Sequence, residues 1–174
     1  MARLLIVVDF QKDFVDGALG FAAAAALDAK IAARVREYQA AGDMVVYTLD
    51  THGADYLQTQ EGRELPVAHC LRGEAGWELY GETAGLLAAC RGFEKPTFGS
   101  EALFDWLRGE EFASIELCGL VSNICVLSNA VLAKCAQPEA EIIVDAELTD
   151  SFDPALQAAA LAVLAGLQVR VING

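Results

Sequence analysis

The chain has 174 residues, of which 55% are hydrophobic, and carries a formal net charge of −13. This length suits one domain with a full core, so we expect a single domain over residues 1–174. An acidic chain is a poor partner for nucleic acid, and no apolar segment approaches the roughly 20 residues that a membrane-spanning helix needs. We therefore predict a cytoplasmic protein without nucleic-acid or membrane partners, whose excess apolar surface is buried in a homo-oligomer.

The cysteines and the first residues agree with this location. The five cysteines are an odd number and include no CxxC pair, which favours reduced thiols over a disulfide framework. The opening segment, MARLLIVVDF, is too short and too soon charged for a signal peptide.

Short β-rich segments alternate with longer segments rich in alanine and leucine. In chain order, strands are predicted at 3–9, 43–50, near 92–95, 113–119, 140–145 and 167–172. Helices are predicted between them at 22–42, 77–90, 100–110, 121–136 and 153–166, with Gly42 closing the first of them. This alternation predicts a three-layer α/β/α fold, with a six-stranded, mostly parallel sheet and helices on both faces.

Polar residues follow several of these strands. In open α/β sheets, ligands bind at the carboxyl ends of the strands. Asp9, Asp50, Lys95, the segment before Cys125, and Asp145 occupy such positions. We therefore expect these distant residues to meet at one edge of the sheet.

Three of these residues could together activate a thiol. A carboxylate beside apolar residues, such as Asp9, has a raised pKa, which suits a general base. Cys125 at the start of a helix would be favoured as a thiolate by the helix dipole, and the Lys95 ammonium could stabilise the charge. Alone, each residue has an ordinary structural interpretation, and a lone buried cysteine is usually a small apolar filler.

Five segments carry a resemblance to a known family. In chain order they are LLIVVDFQKDFVDGAL, TLDTH, HCLRGEAGWEL, FEKPTFG and CGLVSNICVLSNAV. Together they resemble the isochorismatase-like cysteine hydrolases and, within that family, most closely the nicotinamidases. The resemblance runs from Arg3 to Asp145, and its specificity lies in the order of all five segments.

The resemblance implies a catalytic set of Asp9, Lys95 and Cys125. It also implies a non-proline cis peptide bond between Leu120 and Val121. The amides of Val121 and Cys125 would then form an oxyanion hole.

A second implied cluster consists of metal ligands. Metal-containing nicotinamidases use an Asp, His, His set, which falls here on Asp50, His52 and His69. Some members add a glutamate between the histidines, for which Glu61 is the best match in spacing and Glu64 the alternative. Imidazole and carboxylate ligands suit a divalent metal, with zinc the first expectation and iron or manganese the alternatives.

Four further residues lie near these clusters. Phe14 matches an aromatic residue that contacts the substrate ring in this family. Trp77 either lines the pocket or anchors the following helix, and we favour the helix. Asn123 stands where relatives often carry an acidic residue. Cys70 is left out of the set of metal ligands because it directly follows His69, and the side chains of consecutive residues rarely both reach one metal ion.

The expected activity is hydrolysis of a small carboxamide through a thioester on Cys125. The resemblance implies nicotinamide as the substrate, with nicotinate and ammonia as products. The alternatives are a related amidohydrolase acting on another small amide or carbamoyl compound, and a non-catalytic member that binds a ligand or senses oxidants through Cys125 and Cys118.

Overall fold

The computed structural model describes residues 2–174, which form six strands and seven α-helices. The strands are β1 (Arg3–Val8), β2 (Met44–Asp50), β3 (Arg91–Lys95), β4 (Ser114–Leu120), β5 (Glu141–Asp150) and β6 (Arg170–Ile172). The helices are α1 (Lys12–Val15), α2 (Leu27–Ala40), α3 (Gln60–Glu64), α4 (Gly81–Leu87), α5 (Glu101–Leu107), α6 (Leu127–Ala136) and α7 (Pro154–Gly166). Among these residues, no helix is both long and apolar enough to cross a membrane.

The strands form one sheet in the order β3-β2-β1-β4-β5-β6. The predicted six-stranded sheet is confirmed, and all five strand pairings are parallel. The chain builds outward from β1 to β3, then returns to the other side of β1 and builds outward again through β4, β5 and β6. The boundary between β1 and β4 is therefore the switch point, beside which ligands bind in open sheets of this kind.

Helices cover both faces of the sheet, as the sequence predicted. The side chains of Leu4, Ile6 and Val8 enter a core shared with α5, α6 and α7. Those of Leu5 and Val7 enter a second core shared with α1, α2 and α4. Because β1 is buried on both faces, its sequence is a continuous apolar run without polar alternation.

Helix α2 is shorter at its start than the predicted 22–42. Ala24–Ala26 form a separate 3₁₀ turn, and the α-helix begins only at Leu27. Its end is the predicted glycine stop: Gly42 has a φ of +75° and donates its amide to the Gln39 carbonyl at 3.1 Å. The Asp43 amide donates to the Tyr38 carbonyl at 3.0 Å, which completes a Schellman motif.

Further differences from the predicted boundaries include those around Trp77 and Asp145. The predicted helix at 77–90 is a 3₁₀ turn at Ala75–Trp77 followed by the short helix α4. Strand β5 extends to Asp150, and its register with β4 shifts between the pairs Leu117–Val144 and Gly119–Thr149. Asp145 therefore lies in an irregular part of β5, away from the edge where we expected it.

Asp145 belongs instead to a charged cluster between the sheet and α2. Arg34 is paired with Glu116 and lies 3.0 Å from Asp145 Oδ2, while the Tyr38 hydroxyl donates to Glu116 Oε2 at 2.7 Å. Burial raises the pKa of Glu116 above its ordinary range, although Tyr38 and Arg34 act against this. The cluster depends on Arg34 because both carboxylates are almost inaccessible to water.

Replacing Arg34 by Met should destabilise the protein by about 3 kcal/mol at pH 8, since it leaves Glu116 and Asp145 buried without a cation. The loss should be smaller at pH 5. The pKa of Glu116 is already raised and rises further without Arg34, so its neutral form is populated in the folded state as the pH falls. Urea unfolding at both pH values measures the effect.

Arg36→Met is the matched control, because Arg36 pairs with Glu82 on the exposed surface of the same helix. We expect it to cost no more than about 1 kcal/mol at either pH. Equal losses for the two variants, or a loss in Arg34→Met that grows toward pH 5, would contradict this interpretation of the cluster.

Candidate active site

The three residues expected to carry the chemistry meet at the carboxyl edge of the sheet. Asp9 follows β1, Lys95 ends β3, and Cys125 lies in a π-helical turn at Ser122–Val126 between β4 and α6. All three side chains are buried. The topology brings them together because β1 is adjacent to β4, and β2 alone separates it from β3.

The ammonium group of Lys95 lies at the centre of this site. Its Nζ is 2.6 Å from Asp9 Oδ2, 3.2 Å from Asp50 Oδ1 and 3.5 Å from Cys125 Sγ, and it donates to the Thr97 carbonyl at 2.9 Å. Burial acts to lower the pKa of Lys95, but the negative charges of the Asp9 and Asp50 carboxylates oppose it, and that pKa is raised. Lys95 is therefore a cation throughout the working pH range.

Asp9 has an unusual backbone and a raised pKa. It leaves β1 with a φ of +46°, in the left-handed region that few non-glycine residues adopt. The Thr48 hydroxyl donates to Asp9 Oδ1 at 2.6 Å. Burial raises the pKa of Asp9 despite the opposing charge of Lys95. Asp9 is accordingly a stronger base than a carboxylate on the surface.

In the protein without substrate, burial acts against the thiolate that the sequence led us to expect at Cys125. Burial raises the pKa of the Cys125 thiol well above its ordinary value, the Asp9 carboxylate raises it further, and Lys95 only partly offsets both. The physical reason is that Cys125 lies inside a buried turn ahead of α6, where desolvation outweighs favourable dipoles. The resting residue is a thiol that needs a base in contact.

The backbone ahead of Cys125 is shaped around one carbonyl group. The peptide bond between Leu120 and Val121 is cis, at the position that the resemblance implies. The Val121 carbonyl accepts hydrogen bonds from the amides of Ile124 and Val126, both at 3.2 Å. The amide of Cys125, which lies between these two residues in the chain, does not donate to this carbonyl.

The four expected metal ligands also come together. Asp50, His52, Glu61 and His69 each offer a donor atom, and these atoms all lie within 4.8 Å of one another. Asp50 Oδ2 is 2.9 Å from His52 Nε2 and 3.4 Å from His69 Nε2. Glu61 Oε1 is 3.8 Å from His52 Nε2, whereas Glu64 is exposed at the end of α3 and outside the group.

The chemistry of this donor set fits a divalent cation. His69 Nδ1 lies 2.8 Å from the Val67 carbonyl, which can only accept, so Nδ1 carries the proton and Nε2 offers its lone pair to the cluster. Burial and the nearby Asp50 charge raise the pKa of Glu61. A cation bound among these groups would relieve that repulsion, and their imidazole and carboxylate donors suit zinc, iron or manganese.

Gln11 holds Asp50 in place, a contact that no sequence pattern indicated. The buried side chain of Gln11 donates to the Asp50 carbonyl at 2.9 Å and accepts from the Asp50 amide at 2.8 Å. Gln11 also donates to the Trp77 carbonyl at 2.8 Å, and the Trp77 indole donates to Thr51 Oγ1 at 2.8 Å. Trp77 thus anchors the segment after β2; it also packs against the core that includes Leu87 of α4, and it does not line the cavity at Cys125.

A small cavity of about 90 Å³ opens onto both clusters. Its apolar wall and its polar floor come from different parts of the chain. The wall consists of Phe14, Leu19, Leu65, Phe98, Val121, Ile124 and Phe152, and the floor of Asp50, Glu61, His69 and Cys125. Phe14 packs edge-on against the His69 ring with 5.6 Å between centroids. The sequence predicted Phe14 here but missed Leu19, Leu65, Phe98 and Phe152, because isolated apolar residues in loops carry no pattern.

The remaining residues singled out from the sequence lie outside this cavity. The Ser151 hydroxyl donates to Asn123 Oδ1 at 2.7 Å, which ties the π-helical turn to the segment after β5. Cys118 packs in the core with α2, whereas Cys125 packs in the core on the other face of the sheet. All five cysteines are free thiols. The structure therefore does not bring Cys118 and Cys125 together as a redox pair.

Comparisons with known proteins find similarity over most of the chain. A family model described as an isochorismatase domain matches residues 3–174. An isochorismatase family protein of Bacillus subtilis (strain 168), PncA, is 29% identical over 143 residues, which cover 75% of this chain and 78% of that protein. A crystal structure of nicotinamidase PncA from Bacillus subtilis superimposes with a TM-score of 0.86 at 27% identity, covering 98% of this chain and 99% of that one.

A third protein shares the fold at lower identity. The pyrazinamidase of Pyrococcus horikoshii, whose structure is a complex with zinc, superimposes with a TM-score of 0.82 at 21% identity, and each chain is covered completely.

Replacing Glu61 by Gln should weaken zinc binding by about 10- to 100-fold, since it removes one charged donor from the cluster. Titration of the metal-free protein with zinc against a competing chelator measures the affinity. Glu64→Gln is the control on the same helix and should bind zinc as the wild type does. Weakened binding by Glu64→Gln with unchanged binding by Glu61→Gln would assign the site to the other glutamate.

Proposed function

Because the chain belongs to the isochorismatase family, we propose that it is a metal-containing amidohydrolase that converts nicotinamide to nicotinate and ammonia through a thioester on Cys125. One observation carries the proposal: Cys125 lies with Lys95 and Asp9 below a small apolar cavity that also opens onto a four-residue donor set. The hydrolase class, acting on amide C–N bonds, follows from the family and from the likeness to a nicotinamidase over nearly the whole chain.

In the first half of the reaction, Asp9 accepts the proton of the Cys125 thiol and the sulfur attacks the carboxamide carbon. Burial raises the pKa of the Cys125 thiol well above its ordinary value, so the sulfur needs a base to take its proton, and burial also raises the pKa of Asp9, which strengthens that base. The amides of Val121 and Cys125 face the oxyanion of the tetrahedral intermediate; such donors contribute about 3 to 4 kcal/mol in comparable sites. Asp9 then returns its proton to the departing nitrogen, the C–N bond breaks, and ammonia leaves.

In the second half, Asp9 removes a proton from water, which attacks the thioester carbon. The C–S bond breaks, the acid product leaves, and Cys125 recovers its proton from Asp9. Asp9 is thus base and acid in turn, for which its burial and raised pKa suit it. Lys95 keeps its proton throughout and balances the negative charge, which moves between oxygen and sulfur.

The donor set would hold the metal next to the reacting groups. Asp50, His52, His69 and Glu61 would bind a divalent cation, which supplies a Lewis acid able to bind the ring nitrogen of a pyridine-like substrate. Phe14 would lie along the ring, since it already packs against His69 at the cavity wall. These contacts would orient the carboxamide toward Cys125 Sγ, and such positioning would lower the barrier for attack.

A homo-oligomer remains a prediction, and helix α7 supports it. None of the 13 residues of α7 is charged, although the chain carries a net charge of −13. Phe152, Leu156, Val163 and Leu167 are 57%, 46%, 52% and 45% exposed along this element and its flanks. A second copy of the chain is the occupant that we propose for this face, because two acidic copies approach most readily where neither carries charge.

Replacing Cys125 by Ala should reduce ammonia release from nicotinamide by at least about 10³-fold, because it removes the nucleophile. The fold and the metal content should not change, since the thiol is not part of the donor set. Ammonia assays, circular dichroism and metal analysis on the same samples measure all three. The control is Cys135→Ala, which removes an exposed thiol and should keep full activity.

Activity retained by Cys125→Ala would refute the thioester mechanism. A folded, metal-loaded wild-type protein that hydrolyses other small amides but not nicotinamide would refute the substrate and keep the hydrolase chemistry.

A further inference from the structure

We propose that Thr48 is a positioning residue that fixes the Asp9 carboxylate so that Oδ2, and not Oδ1, takes the proton from Cys125. The inference rests on the proposed function, because it concerns the proton transfer that starts the reaction. In that transfer the S–H bond of Cys125 breaks and an O–H bond forms on Asp9, with no net change of charge.

The side chain of Thr48 makes two hydrogen bonds to Asp9, and the Asp9 amide also donates to the Thr48 carbonyl at 3.3 Å. Thr48 lies on β2 and is fully buried beside the point where the chain leaves β1. Its hydroxyl donates to Asp9 Oδ1 at 2.6 Å and accepts from the Asp9 amide at 3.2 Å. A hydroxyl has one proton to donate, so these two bonds fix both its own direction and the plane of the carboxylate.

The other carboxylate oxygen is left for the reaction. Asp9 Oδ2 lies 2.6 Å from Lys95 Nζ and, apart from that ion pair, has no hydrogen-bond partner among residues 2–174. Buried carboxylate oxygens normally have their lone pairs satisfied. An oxygen that keeps an unused lone pair beside a nucleophilic thiol is placed to accept the thiol proton.

The side-chain bond to Thr48 is needed because an ammonium ion alone does not distinguish the two oxygens. Lys95 attracts the whole carboxylate, and without a partner for Oδ1 both oxygens would turn toward Nζ. The backbone of Asp9 has already left the strand, with a φ of +46°. The hydroxyl of Thr48 therefore holds the carboxylate against the pull of Lys95.

Thr48→Val removes the hydroxyl while keeping the shape of the side chain, and Thr48→Ser keeps the hydroxyl. With nicotinamide as substrate, kcat should fall about 10²-fold in Thr48→Val while KM stays within about twofold, because a misplaced base slows the chemistry without changing binding. Thr48→Ser should recover kcat to within about threefold of the wild type.

The matched control is Thr149→Val. Thr149 is also a buried threonine, but its hydroxyl, unlike that of Thr48, has no hydrogen-bond partner in the described part of the chain. We expect wild-type kcat and KM for it. A Thr48→Val variant that loses stability but keeps kcat, or a Thr48→Ser variant as slow as Thr48→Val, would overturn the proposal.

Crystal structures of the wild type and of Thr48→Val separate this proposal from the proposed function, since they need no substrate. In Thr48→Val, we expect the Asp9 carboxylate to rotate so that both oxygens contact Lys95. An unmoved carboxylate would overturn the positioning role even in an active enzyme. Wild-type and Thr149→Val proteins that release no ammonia, together with a rotated carboxylate, would refute the proposed function alone.

Discussion

The site depends on one buried ammonium group, that of Lys95. A cation without access to water persists only beside anions, and here it lies between the carboxylates of Asp9 and Asp50. The strand register provides this arrangement, because Asp50 pairs directly with Lys95 across β2 and β3 while Asp9 leaves the neighbouring strand β1. Asp50 also contacts His52 and His69 through its other oxygen, so one carboxylate joins the reacting groups to the donor set.

Burial then sets the proton positions. Desolvation raises the pKa values of both Asp9 and Cys125, whereas Lys95 stays charged because its anionic neighbours outweigh its own desolvation. The result is a thiol and a carboxylate that both contact the Lys95 ammonium, below a small cavity with an apolar wall. A thiol of this kind is protected from chance reaction in water and is activated only when the base is correctly placed.

Much of this could be predicted from the sequence, and the failures have physical causes. The alternation of apolar runs predicted the sheet, and the ends of those runs predicted that Asp9, Asp50 and Lys95 would share an edge. Asp145 misled us because β5 shifts register before continuing to Asp150, which no local pattern records. Thr48 was missed because only the register of β2 against β1 places its hydroxyl beside Asp9.

The central claim is that Cys125 becomes covalently acylated. The most direct test is rapid acid quenching during a single turnover of nicotinamide, followed by intact-protein mass spectrometry and peptide mapping. We expect a transient increase in mass that corresponds to one nicotinoyl group, located on Cys125 and released by hydroxylamine. Complete hydrolysis without any acylated protein at any quench time, or an adduct on another residue, would contradict the claim.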